Sequence, residues 1–207
     1  MRNCFQGIFS GKKILITGDT GFKGSWLAIW LLEMGAEVYG YALPPKTNKE
    51  NFVSTKLANK IDHLDGDIGD YPRFLAFVKR VQPEIIFHLA AQPIVLESYK
   101  NPRDTFQTNL MGTVNFFEAV RATPSVKAAV NVTTDKCYDN REWVWGYREN
   151  DPMGGKDPYS ASKGCSELIT NSYLESFFKS SSKPCRKWGH TFSRAMCSCS
   201  SIQITGV

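Results

Sequence analysis

Short apolar runs alternate along the chain with longer stretches whose apolar positions recur at helical spacing. Lys12–Thr17 contains Ile-Leu-Ile and ends at a glycine, which predicts a buried strand. Ser25–Met34 sets Trp26, Ile29, Trp30 and Leu32 at helical intervals and closes on Gly35, a natural helix stop. Glu37–Leu43 predicts a second strand, halted by Pro44-Pro45, and residues 46–60 a polar loop with one helical turn. Ile61–Ile68, Pro83–Leu89 and Val126–Thr133 predict three further strands. Tyr71–Arg80, Pro102–Thr123 and Tyr159–Phe178 predict helices, the last following a polar loop from Asp139 to Pro158. Strands separated by helices of ten or more residues are the signature of βαβ crossovers. The fold expected is α/β with a doubly wound parallel sheet.

Composition adds one boundary. The 207 residues suit one domain, or one domain with an appendage. The net charge of +5 lies entirely in residues 179–207, because residues 1–178 hold 20 basic and 20 acidic side chains. That last stretch has seven serines, three of the six cysteines and no acid. It is expected to be disordered or out of frame, the product of a truncation or a shifted reading frame. Cys185, His190, Cys197 and Cys199 match no common zinc spacing, so no metal is expected. No aromatic-interleaved basic pattern suggests nucleic acid. The longest apolar run, Trp26 to Leu32, is too short to span a bilayer, and a cytoplasmic setting is expected.

Three segments carry chemistry. Thr17-Gly18-Asp19-Thr20-Gly21-Phe22-Lys23-Gly24 lies between the first strand and the first helix. Gly18 suits a tight turn, Gly21 close backbone approach to a pyrophosphate, and Gly24 close packing of helix on strand. Asp67, after the third strand, is a candidate for the adenine amino group. The second strand ends without the acid that would hold a ribose, so this region does not separate NAD from NADP. Lys46 and Lys49 are the nearby cations that could meet a 2′-phosphate. Tyr159-Ser160-Ala161-Ser162-Lys163 sets a phenol and an ammonium on one helix face, where the ammonium is expected to lower the tyrosine pKa. Thr133-Thr134-Asp135-Lys136-Cys137-Tyr138 ends the fifth strand, offering a hydroxyl beside Tyr159 and an adjacent acid and base. His88 is expected to pack or bond backbone, Asn109 to serve structure, and Trp143, Trp145 and Tyr147 to line a pocket or hold their own loop.

Residues 11 to about 178 resemble the N-terminal part of the nucleotide-sugar 4,6-dehydratases of the extended short-chain dehydrogenase family. The blocks that carry it are Gly18 to Trp26, His88-Leu89-Ala90-Ala91-Gln92-Pro93, Asn109-Leu110-Met111-Gly112-Thr113 and Thr133 to Tyr138. Asp135-Lys136, where relatives acting on dTDP- and GDP-sugars carry an acidic second residue, favours the CDP-glucose branch. The resemblance implies a Rossmann-like NAD-binding domain over residues 1–178, with a substrate domain largely missing. Around NAD it places Gly18, Gly21, Phe22 and Gly24, then Asp67 and Ile68, then Leu89, Ala90 and Ala91, with Tyr159 and Lys163 at the reacting end. Thr134, Asp135, Lys136, Tyr159 and Lys163 are the implied catalytic set, CDP-glucose the implied substrate, and a homodimer through the two long helices the implied assembly. An inactive nucleotide-binding remnant and a nucleotide-sugar epimerase are the alternatives.

Overall fold

The structure, a computed structural model, describes residues 4–178 and 202–206. Five parallel strands form the sheet: β1 Lys13–Thr17, β2 Glu37–Ala42, β3 Asp62–Asp65, β4 Ile85–His88 and β5 Ala128–Val132. A sixth, β6 Ile202–Gly206, pairs antiparallel with β5, giving the order β3-β2-β1-β4-β5-β6. β3, four residues long, lies at one end and pairs with β2. The helices are α1 Phe22–Glu33, α2 Asn51–Ser54, α3 Tyr71–Val81, α4 Val95–Lys100, α5 Pro102–Phe106, α6 Gly112–Arg121 and α7 Pro158–Tyr173.

The central strands β1 and β4 are largely apolar on both sides because helices cover both faces. Ile14 and Ile16 pack with Ala28, Leu31, Phe52 and Leu57 on the α1–α2 side. Leu15 and Tyr41 pack with Phe74, Phe77, Phe116 and Val120 on the α3–α6 side. The strand order reverses between β1 and β4, where ligands of such sheets bind beyond the carboxyl ends of the strands.

Three expectations need correction. The aromatics of α1 do not face the sheet: its buried face is Gly24, Ser25, Ala28 and Leu31, and Trp26 and Trp30 point outward. Small residues win that face because the helix start must approach the glycine turn closely. The single helix expected over Pro102–Thr123 is α5 and α6 joined by a π-helical turn at Gln107–Met111, which brings Asn109 inward. Helix α4 falls where no element was expected. In the tail, residues 179–201 and 207, including the candidate zinc ligands, lie outside the described residues, and Ile202–Gly206 is the strand β6. Its Ile-Gln-Ile-Thr pattern suits a strand, and the β5 edge offers it a row of backbone partners.

Candidate functional site

The glycine turn closes on backbone from two directions. Gly18 has φ +78°, its N–H donates to the Tyr41 carbonyl at 2.9 Å, and a Cβ there would sit 2.8 Å from the Ala90 nitrogen. A Cβ on Gly24 would sit 2.1 Å from the Gly18 carbonyl oxygen. Gly21 begins α1 with no side-chain cap, so the first amides of the helix remain open to an anion. Lys23, in that first turn, lies within electrostatic reach of Lys163. A cradle that any Cβ would fill, an uncapped helix start and the Lys23 ammonium in its first turn fit a dinucleotide pyrophosphate.

Sequence reasoning missed Thr17, the fully buried last residue of β1. Its Oγ1 accepts from the Leu89 and Ala90 amides, both at 3.2 Å, and therefore has its proton free for His88 Nδ1 at 2.7 Å. This network ties the turn after β1 to the segment after β4. His88 stacks on Phe116, with centroids 4.6 Å apart, and burial pushes its pKa down to about 3. It is a packed, neutral histidine. A polar residue just before the first glycine was the only available signal for Thr17.

Asp19 was also missed. It is fully buried in the turn, and Oδ2 accepts from His63 Nδ1 at 2.7 Å across 44 residues. A Cβ on Gly40 would sit 2.2 Å from that oxygen, so glycine in β2 makes the room. Burial pulls the His63 pKa down, but hydrogen bonds and charges from Asp19 and Asp65 outweigh it, and the net shift is upward. A raised pKa means that His63 stabilises the fold fully below its unfolded value of 6.5. That contribution fades as pH rises through the higher folded value. Urea unfolding at pH 6 and pH 9 is expected to show lower stability at the alkaline pH, and His63→Gln to flatten the difference.

Helix α7 opens on Asp157, whose carboxylate accepts from the Ser160 amide at 3.0 Å and the Ser160 hydroxyl at 2.6 Å. The helix therefore begins at Pro158, one residue earlier than the sequence predicts, with Asp157 as its cap. The cap fixes Tyr159 and Lys163, both buried, against the carboxyl end of β5. Lys163 Nζ donates to the Val132 carbonyl at 3.4 Å. Its pKa is brought down to about 8 by burial, opposed by Glu167, and lowered further by Lys23. Tyr159 and Thr134 are hydrogen-bonded, and Thr134 Oγ1 donates to Asp135 Oδ1 at 3.0 Å. One hydroxyl thus joins a phenol to a carboxylate. The expected depression of the Tyr159 pKa is absent in this arrangement: burial raises it, and the Thr134 bond only partly offsets that.

Asp135 and Lys136 stand exposed at the rim, in a short 3-10 turn, Asp135–Cys137, after β5. Leu89, Ala90 and Ala91 are half-buried beside the glycine turn, and Phe22 is exposed at its far side. Asp67 is exposed, and its Oδ1 accepts from the Gly69 amide at 2.8 Å. Ile68 is turned into the core, so only its backbone is available to a cofactor. Asn109 reaches inward, accepting from the Gln92 amide at 2.8 Å and donating to Ser162 at 2.9 Å, which links the β4 loop to α7. Trp143 and Tyr147 pack on each other and Tyr147 on Tyr138, holding their loop, while Trp145 is exposed.

The model of a family described as GDP-mannose 4,6 dehydratase matches residues 15–181. The chain belongs to that family. Within the wider group it is 52% identical over 173 residues to CDP-glucose 4,6-dehydratase of Salmonella typhimurium, covering 84% of this chain and 48% of that protein. It is 32% identical to GDP-mannose 4,6-dehydratase of Yersinia enterocolitica, covering 80% and 46%. A UDP-glucose 4-epimerase from Thermus thermophilus, solved in complex with NAD, superposes with a TM-score of 0.67 and 25% identity, covering 80% and 52%. The chain spans about half the length of the curated relatives it matches. For a member of this dehydratase family, the doubly wound sheet is as the sequence predicts. No helix among the described residues is long and apolar enough to cross a membrane, and they contain no cluster of metal-binding side chains.

Proposed function

We propose that the chain carries the cofactor-binding and catalytic half of an NAD-dependent CDP-glucose 4,6-dehydratase, a lyase forming CDP-4-keto-6-deoxyglucose. The observation that carries the reading is the Tyr159–Thr134–Asp135 hydrogen-bonded array beside buried Lys163. Gly18, Gly21 and Gly24 with the open start of α1 would hold the pyrophosphate. Phe22, Asp67, Ile68 and Leu89 to Ala91 would border the adenosine and central parts of NAD. When bound, NAD supplies a hydride acceptor for sugar C4 and returns the hydride at C6. Tyr159 removes the proton of the sugar 4-hydroxyl, and Thr134 holds that oxygen in place. The 4-ketone acidifies C5, whose proton passes to Lys136, or to a base outside the matched segment, and returns to C5 once C6 has received its hydride. Asp135 delivers a proton to the departing 6-oxygen, so that water leaves.

Support for the substrate comes from the 52% identity to the Salmonella typhimurium enzyme and from Lys136 following Asp135. Exposed Met111 and Leu168 near the two long helical segments suit a homodimer through them. The test is incubation of the purified chain with CDP-glucose and NAD, monitoring the 4-keto product by its absorbance in alkali. Product supports the reading, and NAD binding without product would identify an inactive remnant. In an active preparation Asp135→Asn is expected to slow dehydration by about 100-fold while 4-keto intermediate still forms. Dehydration at the native rate would remove Asp135 from its role.

A further inference from the structure

The inner face of α7 is a seam of buried polar groups. Asn131 donates to Ser166 at 3.1 Å and to Thr170 at 2.9 Å, and Thr113 and Ser166 share a hydrogen bond of 2.8 Å. Neutral hydroxyls and amides suffice to fasten the helix to β5 and α6. Glu167 differs, because the residue is 2% exposed and a buried carboxylate is costly unless a cation offsets it. Lys163, 6% exposed, lies four residues earlier on the same helix face, where side chains one turn apart meet. The Thr133 hydroxyl donates to Glu167 Oε1 in a short hydrogen bond, which fixes the carboxylate at the carboxyl end of β5. Thr133 immediately precedes Thr134.

We infer that Glu167 is a positioning residue that keeps Lys163 charged in its dry setting, with Thr133 holding the carboxylate in register. The other groups facing Lys163 do not replace it. Lys23, from α1, repels the ammonium, and His88, from β4, is neutral. Cys137, from the turn after β5, favours the charge less strongly than Glu167. Burial alone would therefore empty Lys163 of its proton at a lower pH, and Glu167 supplies the largest opposing influence. Thr133, Glu167 and Lys163 are thus coupled buried groups, and Thr133 adjoins the Thr134 that bonds Tyr159.

The inference rests on the role given above to Lys163, but its test needs neither cofactor nor turnover. The full chain, labelled at lysine Cε, is titrated by NMR, with the Lys163 resonance assigned by its loss in Lys163→Met. Glu167→Gln, nearly isosteric and still able to accept from Thr133, is expected to lower the Lys163 midpoint by about one pH unit or more. Glu167→Asp, which sets the charge one methylene back, is expected to give an intermediate value. A purely structural Glu167 would leave the midpoint in place, so an unchanged midpoint in either folded variant overturns the inference. Should Glu167→Gln fail to fold, Glu167→Asp decides alone. Loss of dehydratase activity in the unsubstituted chain would bear on the proposed function and leave this titration unaffected.

Discussion

Gly24→Ala is expected to unfold or severely weaken the protein and to abolish dinucleotide binding. The added methyl would sit 2.1 Å from the Gly18 carbonyl oxygen and 2.8 Å from the Asp19 Cα. Both are backbone atoms of a turn held on its other side by Tyr41 and Ala90, so neither can retreat. Helix α1 must move off β1, breaking the approach that its Gly24, Ser25, Ala28 and Leu31 face requires. Overpacking of this kind costs roughly 3 kcal/mol or more when nothing can yield. Urea unfolding and NAD titration measure the two effects. Gly146→Ala is the control: nothing lies within 4 Å of a Cβ there, and its stability is expected to stay within about 0.5 kcal/mol. Equal stabilities for the two variants would show that the turn does not need its close packing.

Tyr159→Phe is expected to reduce formation of the 4-keto sugar by a factor of about 10² to 10⁴, the usual worth of a positioned proton acceptor. The ring is 9% exposed and stays packed, so the fold should survive. Thr134 keeps its bond to Asp135, so the loss is confined to the phenol oxygen. Burial raises the Tyr159 pKa, and the base proposed above is its phenolate, so the native rate should rise with pH through the neutral range. That rise is absent in Tyr159→Phe. Single-turnover rates across pH 6 to 9 check both statements, and a variant within threefold of the native rate would exclude Tyr159 as the base.

What the sequence made legible, and what it did not, follows the range of the interactions. β1, with Ile-Leu-Ile buried on both faces, was readable from five residues, and Tyr159 and Lys163 from one helical turn. Helix α4 has six residues and exposes Leu96 and Tyr99, so it has no periodic buried stripe to detect. The π-helical turn at Gln107–Met111 exists because Asn109 serves Gln92 and Ser162, partners 17 and 53 residues away. The Asp19–His63 bond and the Thr17 network likewise join distant segments, and a residue's own neighbours in sequence say nothing of them. The pKa of Tyr159 was misjudged for the same reason. The spacing to Lys163 was visible, but the burial that dominates was not.

The short strand β3 governs how this sheet meets other molecules. A sheet edge offers unpaired backbone groups on which a foreign strand can grow. Here that edge is four residues long and begins and ends on aspartate, and Arg80 grips Asp62 through two hydrogen bonds of 2.9 and 3.1 Å. A hydrophobic strand arriving there would have to bury charge. The β3 side of the sheet is thereby guarded against edge-to-edge aggregation by three charged side chains.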